Sequence, residues 1–172
     1  SLGASNGKME SLAERKPACA YAPKVLIYIH GFNSSPASHK ARLLQQRLRT
    51  LGCERDFACP ALPHEPAAAL RLLQELIAVA SANTPAPVTL VGSSLGGYYA
   101  TSLVEHAESL RAVVINPAIT PAIGLHAYLG PQINLYTGHA YELTQQHLDE
   151  LQPMQVQQIR DPRRYLLIHA TG

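Results

Sequence analysis

No block of lysine or arginine stands out in these 172 residues, and the formal net charge is only +2. Binding to nucleic acid therefore has little support. No apolar run reaches the length of a membrane span, and no hydrophobic signal stretch opens the chain. Cysteine is scarce. Cys19, Cys53 and Cys59 are odd in number, scattered and without a C-x-x-C pair, so reduced cytosolic thiols and a cytoplasmic location are expected. No H-E-x-x-H spacing suggests zinc. No Lys-Ser/Thr pair follows a glycine-rich turn, which excludes a P-loop, and no G-x-G-x-x-G opens a helix. What the chain does have is 47% hydrophobic residues, enough for one domain with a core. Ser1 to Lys8 is small and polar and precedes Met9, which reads as a tag remnant, and residues 1–23 are expected to be flexible.

The pattern from Lys24 onward alternates strands and helices. Lys24 to Ile29 is a short β-branched run read as a central strand, ending in the turn-rich His30-Gly31-Phe32-Asn33-Ser34-Ser35-Pro36. Ser38 to Leu51 has helical spacing at Ala41, Leu44, Leu48 and Leu51, with Gly52 at the C-cap position. Asp56 to Cys59 is a second strand, and Glu65 to Ser81 a helix repeating Leu70, Leu73, Ile77 and Ala80. Val88 to Val91 is a third strand, Leu95 to Glu105 a helix, and Arg111 to Ile115 a fourth strand. A mixed segment from about 118 to 158 reads as a lid over the strand ends, with turn signals at Gly130-Pro131 and Thr137-Gly138 and a capped helix start at Thr144. Arg164 to His169 is a fifth strand. Such alternation predicts an α/β fold with a mostly parallel sheet covered on both faces. Ligands bind at the C-terminal ends of such strands, where His30-Gly31-Phe32 and Ser94 both fall.

Gly92-Ser93-Ser94-Leu95-Gly96 lies between a strand and a helix, the setting of a nucleophile elbow. A serine on that sharp turn has its hydroxyl pushed out of the sheet. Glycines two residues before and after let strand and helix approach closely, and only Ser94 has both in frame. A plain Gly/Ser turn would share the composition but gives no reason for that placement. A serine hydroxyl needs a base to take its proton and donors for the developing oxyanion. The N–H of Leu95 is one donor, and Phe32 N–H, from the loop after the early strand, is the second.

The strings YIHGFNSSP (Tyr28 to Pro36), LVGSSLGGYYAT (Leu90 to Thr101), INPA (Ile115 to Ala118) and LYTGHAYELT (Leu135 to Thr144) resemble the YqiA-type esterase family from about Lys24 onward. The resemblance implies an α/β-hydrolase domain over 24–172 and carboxylic-ester hydrolysis, with ester or acyl-thioester substrates, no cofactor, no metal, and a cytosolic setting. It implies Ser94 as nucleophile, Phe32 and Leu95 as oxyanion donors, and His30, Gly31, Gly92 and Gly96 as motif-supporting residues.

In that family an Asp follows a Thr-Gly pair and a His comes later, in the order Ser, acid, His. This sequence stops at Thr171-Gly172. The resemblance therefore implies that the triad Asp and His lie beyond the residues given, with the last strand and helix, and that this chain alone is impaired. A sheet edge left without them would offer itself for self-association.

The chain's own histidines are weak substitutes. His30 is the nearest to Ser94 in expectation but shapes the loop in the family pattern. His169 ends the fifth strand. His39, His64, His106 and His147 fall in helices or their starts and are expected in solvent. His126 and His139 fall in the lid. Asp149 reads as a helix-face carboxylate and Asp161 as a turn residue. One of Tyr98 and Tyr99 could line the pocket, with packing the commoner fate, and Tyr128, Tyr136 and Tyr141 suit either a lid wall or lid packing.

Two functions remain open on the residues. One is a serine hydrolase working through an acyl-serine, on esters or on thioesters. The other is a non-catalytic scaffold that binds a small acid or a partner protein.

Overall fold

Residues 25–169 are described by the structure, a computed structural model. The segment expected to be flexible, Cys19, Lys24 and the closing Thr171-Gly172 lie outside the described residues. Five parallel strands form one sheet: β1 (Leu26–Ile29), β2 (Phe57–Ala58), β3 (Val88–Ser93), β4 (Leu110–Ile115) and β7 (Tyr165–Ile168), in the order β2-β1-β3-β4-β7. Helices α1 (His39–Thr50), α2 (Pro66–Ala82) and α3 (Leu95–His106) connect them. The expected mostly parallel sheet with helices is therefore what forms. Strand limits contract by one or two residues at several ends, the usual scatter where hydrogen bonding stops before the apolar run does.

Alternation along each strand builds two unequal cores. Ile27 and Ile29 of β1, with Val88 and Leu90 of β3 and Ala112 and Val114 of β4, face Ala69, Leu73 and Ile77 of α2 and Leu103 and Val104 of α3. On the opposite face Tyr28 and Val91 meet Ala41 of α1. Strands buried on both faces explain why β1, β3 and β4 read as near-continuous apolar runs.

The segment between β4 and β7 holds a short helix α4 (Pro121–Gly124), an antiparallel hairpin of β5 (Gly130–Ile133) and β6 (Ala140–Leu143), and α5 (Gln145–Leu151). The hairpin was not foreseen. Its turn signals were legible, but its strands are only four residues long, start at a Gly-Pro pair, and leave Ile133 exposed. The capped start at Thr144 is present, and it uses His147: the ring Nδ1 accepts the Thr144 N–H at 3.1 Å. His147 is consequently buried, not in solvent as expected, because it stands where a capping box usually has Glu or Gln.

The thiol expectation is also corrected. Cys59 is free, but Cys53 is disulfide-bonded. Burial pushes the Cys59 thiol up to about 11, so it stays protonated at neutral pH. Among the described residues no helix is long and apolar enough to cross a membrane.

Candidate active site

The strand register puts the sequence motifs side by side. Ile29 of β1 pairs with Gly92 of β3, and Ser93 pairs with Ile115 of β4. His30-Gly31, Ser94 and Asn116 therefore leave the sheet at one rim. The chain runs from β1 outward to β2 on one side, then returns to β3 on the other, so the order reverses between β1 and β3. That is where a doubly wound sheet opens a crevice.

Ser94 is the residue before α3, with φ 54° and ψ −120°. A residue with a Cβ seldom adopts this conformation, and its cost is about 1–3 kcal/mol. The surroundings hold it there. Ser94 N–H donates to Ile115 carbonyl at 3.1 Å, and the Ser94 carbonyl accepts from Gly97 N–H at 2.9 Å and Ala118 N–H at 3.0 Å. The glycines are required by contact. A methyl at Gly96 would lie 1.9 Å from the Ile29 carbonyl oxygen, and one at Gly92 would lie 2.3 Å from the Gly96 oxygen. Helix α3 thus sits directly on the ends of β1 and β3, and the Ser94 side chain is left exposed.

The loop after β1 runs alongside. A methyl at Gly31 would be 3.2 Å from Ser94 Cβ, so the two segments touch. Neither Phe32 N–H nor Leu95 N–H donates to another described residue. His30 is buried behind them. Its Nε2 accepts the Leu62 N–H at 3.2 Å, so the proton sits on Nδ1, 3.1 Å from the Gly31 carbonyl. Burial pushes its pKa down, against a smaller opposing effect from the Gly31 bond. Both ring nitrogens are thereby occupied in holding the loop.

Residues that the sequence reading passed over complete the rim. Asn33 takes a left-handed conformation at φ 49°, its Nδ2 donates to Gln132 at 3.0 Å, and its Oδ1 accepts from the Tyr141 hydroxyl at 2.7 Å. Asn134 donates to the Ser34 carbonyl at 2.8 Å and accepts from the N–H groups of Tyr136 and Thr137. The hairpin is therefore tied to the loop at two asparagines. An Asn in a turn-rich string was the only available signal, and its long-range partners were invisible.

Ser94 opens onto a cleft of about 300 Å³ lined also by Tyr28, Phe32, Ser38, Lys40 and Tyr136. Among the described residues no histidine and no carboxylate lines it. His126 and His139 do not reach it. The His139 ring instead lies 5.9 Å from that of His64, which packs at a 33° tilt 4.4 Å from the Tyr141 ring. Tyr98 and Tyr99 are both buried, with the Tyr98 hydroxyl donating to Leu151, and Tyr128 packs 6.0 Å from Phe32. Asp149 and Asp161 sit on the α5 surface and at a turn. An apolar cavity of about 350 Å³ between α3, β4 and β7 is larger but does not include Ser94. Among the described residues no group of three or more His, Cys, Asp or Glu is arranged to hold a metal.

A model of the uncharacterised protein family UPF0227 matches residues 25–172. The chain belongs to this family. It is the YqiA-like family that the four strings resemble. Solved structures similar to this UPF0227 chain are α/β-hydrolases. A candidate hydrolase from Agrobacterium vitis S4 superposes with a TM-score of 0.58 at 19% identity, covering 77% of this chain and 61% of that one. Est1E from Butyrivibrio proteoclasticus gives 0.56 at 16%, covering 86% and 68%. A structure from work on the metagenome-derived lipolytic enzymes LipS and LipT gives 0.53 at 18%, covering 84% and 70%. The UPF0227 chain has the α/β-hydrolase fold, and it spans about three-fifths of the length of the first of these relatives.

Proposed function

We propose that residues 24–172 are the elbow-bearing part of a serine hydrolase acting on carboxylic esters or thioesters, with 118–158 as its lid. The observation that carries this is the strained Ser94, exposed at the rim between Gly31-Phe32 and Leu95. In the reaction Ser94 Oγ attacks the carbonyl carbon and gives up its proton to a base. The carbonyl oxygen takes the negative charge and is met by the N–H groups of Phe32 and Leu95, which have no other described acceptor. Collapse expels the alcohol or thiol, protonated by the conjugate acid of that base, and leaves an acyl-serine that water then hydrolyses. Each amide donor is worth about 3 kcal/mol at the transition state. We place the base and its orienting carboxylate outside the described residues, since no described histidine or carboxylate lines the cleft. His30, Gly31, Gly92 and Gly96 support the motif without touching substrate.

Labelling with a fluorophosphonate probe tests the reading. This chain and a C-terminally extended form are each compared with their Ser94→Ala variants. Labelling of the extended form that vanishes with Ser94→Ala is expected, and labelling that survives the substitution removes the assignment. A second reading, a non-catalytic scaffold that binds a small acid, is favoured by one observation, that no described histidine or carboxylate lines the Ser94 cleft. Under that reading neither form labels.

A further inference from the structure

Four rings meet behind the oxyanion loop, and the hydrolase reading uses none of them. His64 lies between β2 and α2, His139 and Tyr141 belong to the hairpin, and His147 to the first turn of α5. The His64 ring is 4.4 Å from Tyr141, 5.9 Å from His139 and, edge-on, 5.5 Å from His147. His139 lies nearly parallel to Tyr141 at 6.4 Å. Three segments distant in sequence are thus joined through imidazoles. From the cluster the Tyr141 hydroxyl reaches Asn33 Oδ1 at 2.7 Å. A small cavity of about 50 Å³ is lined by His64, Tyr141, Asn33, Phe32 and Leu95, so the cluster backs the two residues that supply the oxyanion donors.

Imidazoles change charge between about pH 5 and 8. The first proton has a place, because His64 Nε2 is 3.5 Å from the carboxylate of Glu65, the N-cap of α2. A second proton has none. On His139 it would repel His64. On His147 it would also turn Nδ1 into a donor, and that nitrogen accepts the Thr144 N–H at the start of α5. The other titratable groups nearby offer no compensation. Glu150 of α5 accepts from Ala67 N–H and Gln146, and Glu142 of β6 alternates to the face opposite Tyr141. His30 has both ring nitrogens occupied, and burial pushes the Tyr99 phenol of α3 up, so it stays neutral. Among the described residues no lysine or arginine lines the cavity.

We propose that Tyr141 is a positioning residue for the oxyanion loop, and that His64, His139 and His147 make its support depend on protonation. With the cluster neutral or singly protonated, the hairpin and α5 hold Tyr141 against Asn33, and the loop keeps Phe32 N–H beside Ser94. A further proton drives the rings apart and opens the cap of α5, so Tyr141 recedes and the loop slackens. None of the three histidines touches substrate. This rests on the hydrolase reading only for what the loop does; the coupling of cluster to loop stands on its own geometry.

The coupling is measured first, without catalysis. The isotope-labelled chain is titrated from about pH 8 to about pH 5, and the imidazole resonances are followed with the Phe32 amide and the Asn33 side-chain amide. The loop resonances are expected to move together with those of His64 and His147. In His64→Phe with His147→Gln they should stay still, since glutamine caps α5 as a neutral acceptor and phenylalanine keeps a ring beside Tyr141. In Tyr141→Phe the histidines should still titrate while the loop no longer follows. His147→Gln alone covers the case in which the double variant does not fold, and it should weaken the loop response. Loop resonances that ignore pH in the unaltered chain overturn the proposal. So does a response unchanged in these variants, which would belong to His30. Probe labelling of the extended form is the second arm. Its rate should fall about tenfold further on acidification than that of the double variant, the size of one like-charge interaction. If Ser94 labels and the loop does not follow the cluster, the positioning proposal alone fails. If the loop follows and the extended form labels at no pH, the hydrolase alone fails.

Discussion

Ser94 holds an unfavourable conformation because its carbonyl and N–H are locked by β4 and by the segment after it. That strain is measurable. A glycine accepts φ 54° without a Cβ penalty, so Ser94→Gly should raise stability by about 1 kcal/mol while abolishing probe labelling. A denaturant midpoint that falls would show that the turn is not strained. Gly96 makes the opposite case. A methyl there meets a backbone oxygen of β1 that has no room to yield, so Gly96→Ala should cost about 3 kcal/mol. Urea unfolding is the check, and a loss under 0.5 kcal/mol would contradict the close approach. Asn33 is the third informative residue. Asn33→Ala removes a donor and an acceptor that tie the oxyanion loop to the hairpin, and should cost about 2 kcal/mol. If the loop depends on the hairpin, the same change slows labelling of Ser94 in the extended form.

At the scale of elements, the helix starts differ in how they are completed. Helix α5 has its capping box, and α2 receives the Glu150 carboxylate of α5 on Ala67 N–H at 2.9 Å. Helix α1 has nothing equivalent. An N-cap serine ordinarily contributes about 1 kcal/mol, but Ser38 makes no cap bond, so Ser38→Ala should change stability by less than about 0.5 kcal/mol. Thermal or chemical unfolding decides this, and a full capping cost would show that the hydroxyl does bond the start of the helix. The elements legible in the sequence were those whose apolar period is enforced by burial. Strands β1, β3 and β4 are buried on both faces, and α2 repeats Leu73 and Ile77 against them. The elbow was legible because contact forces glycine at both 92 and 96. The hairpin was not, since its residues answer to a few side-chain bonds rather than to a core. Asn33 and Asn134 were missed for the same reason: single polar residues carry no period, and their partners come from distant segments.

For the whole molecule, one buried cluster ties the last described strand to the rest. Glu105 of α3 is buried and accepts from the Tyr165 hydroxyl at 2.6 Å, Arg160 at 3.0 Å and Arg164 at 3.2 Å. Arg164 also donates to the carbonyls of Val104 and Ala107, closing the C-terminus of α3. Burial works against ionisation of Glu105, but the bonds from Tyr165 and Arg160 and the charge of Arg164 outweigh it and hold its carboxyl below the ordinary 4.5. The unfolded chain then takes up this proton first, so stability is full above about 4.5 and falls as pH drops toward the lower folded value. His30, with its pKa below 6.5, adds an earlier decline as pH falls from that value. Two acid steps are therefore expected in the unfolding free energy. Glu105→Gln should remove the lower step and leave the upper one. At neutral pH it should also cost about 3 kcal/mol, because Arg164, only 11% exposed, loses its counter-charge. Urea titrations from pH 7 to pH 3.5 test both, and a variant that keeps the lower step would place the acid sensitivity in some other carboxylate.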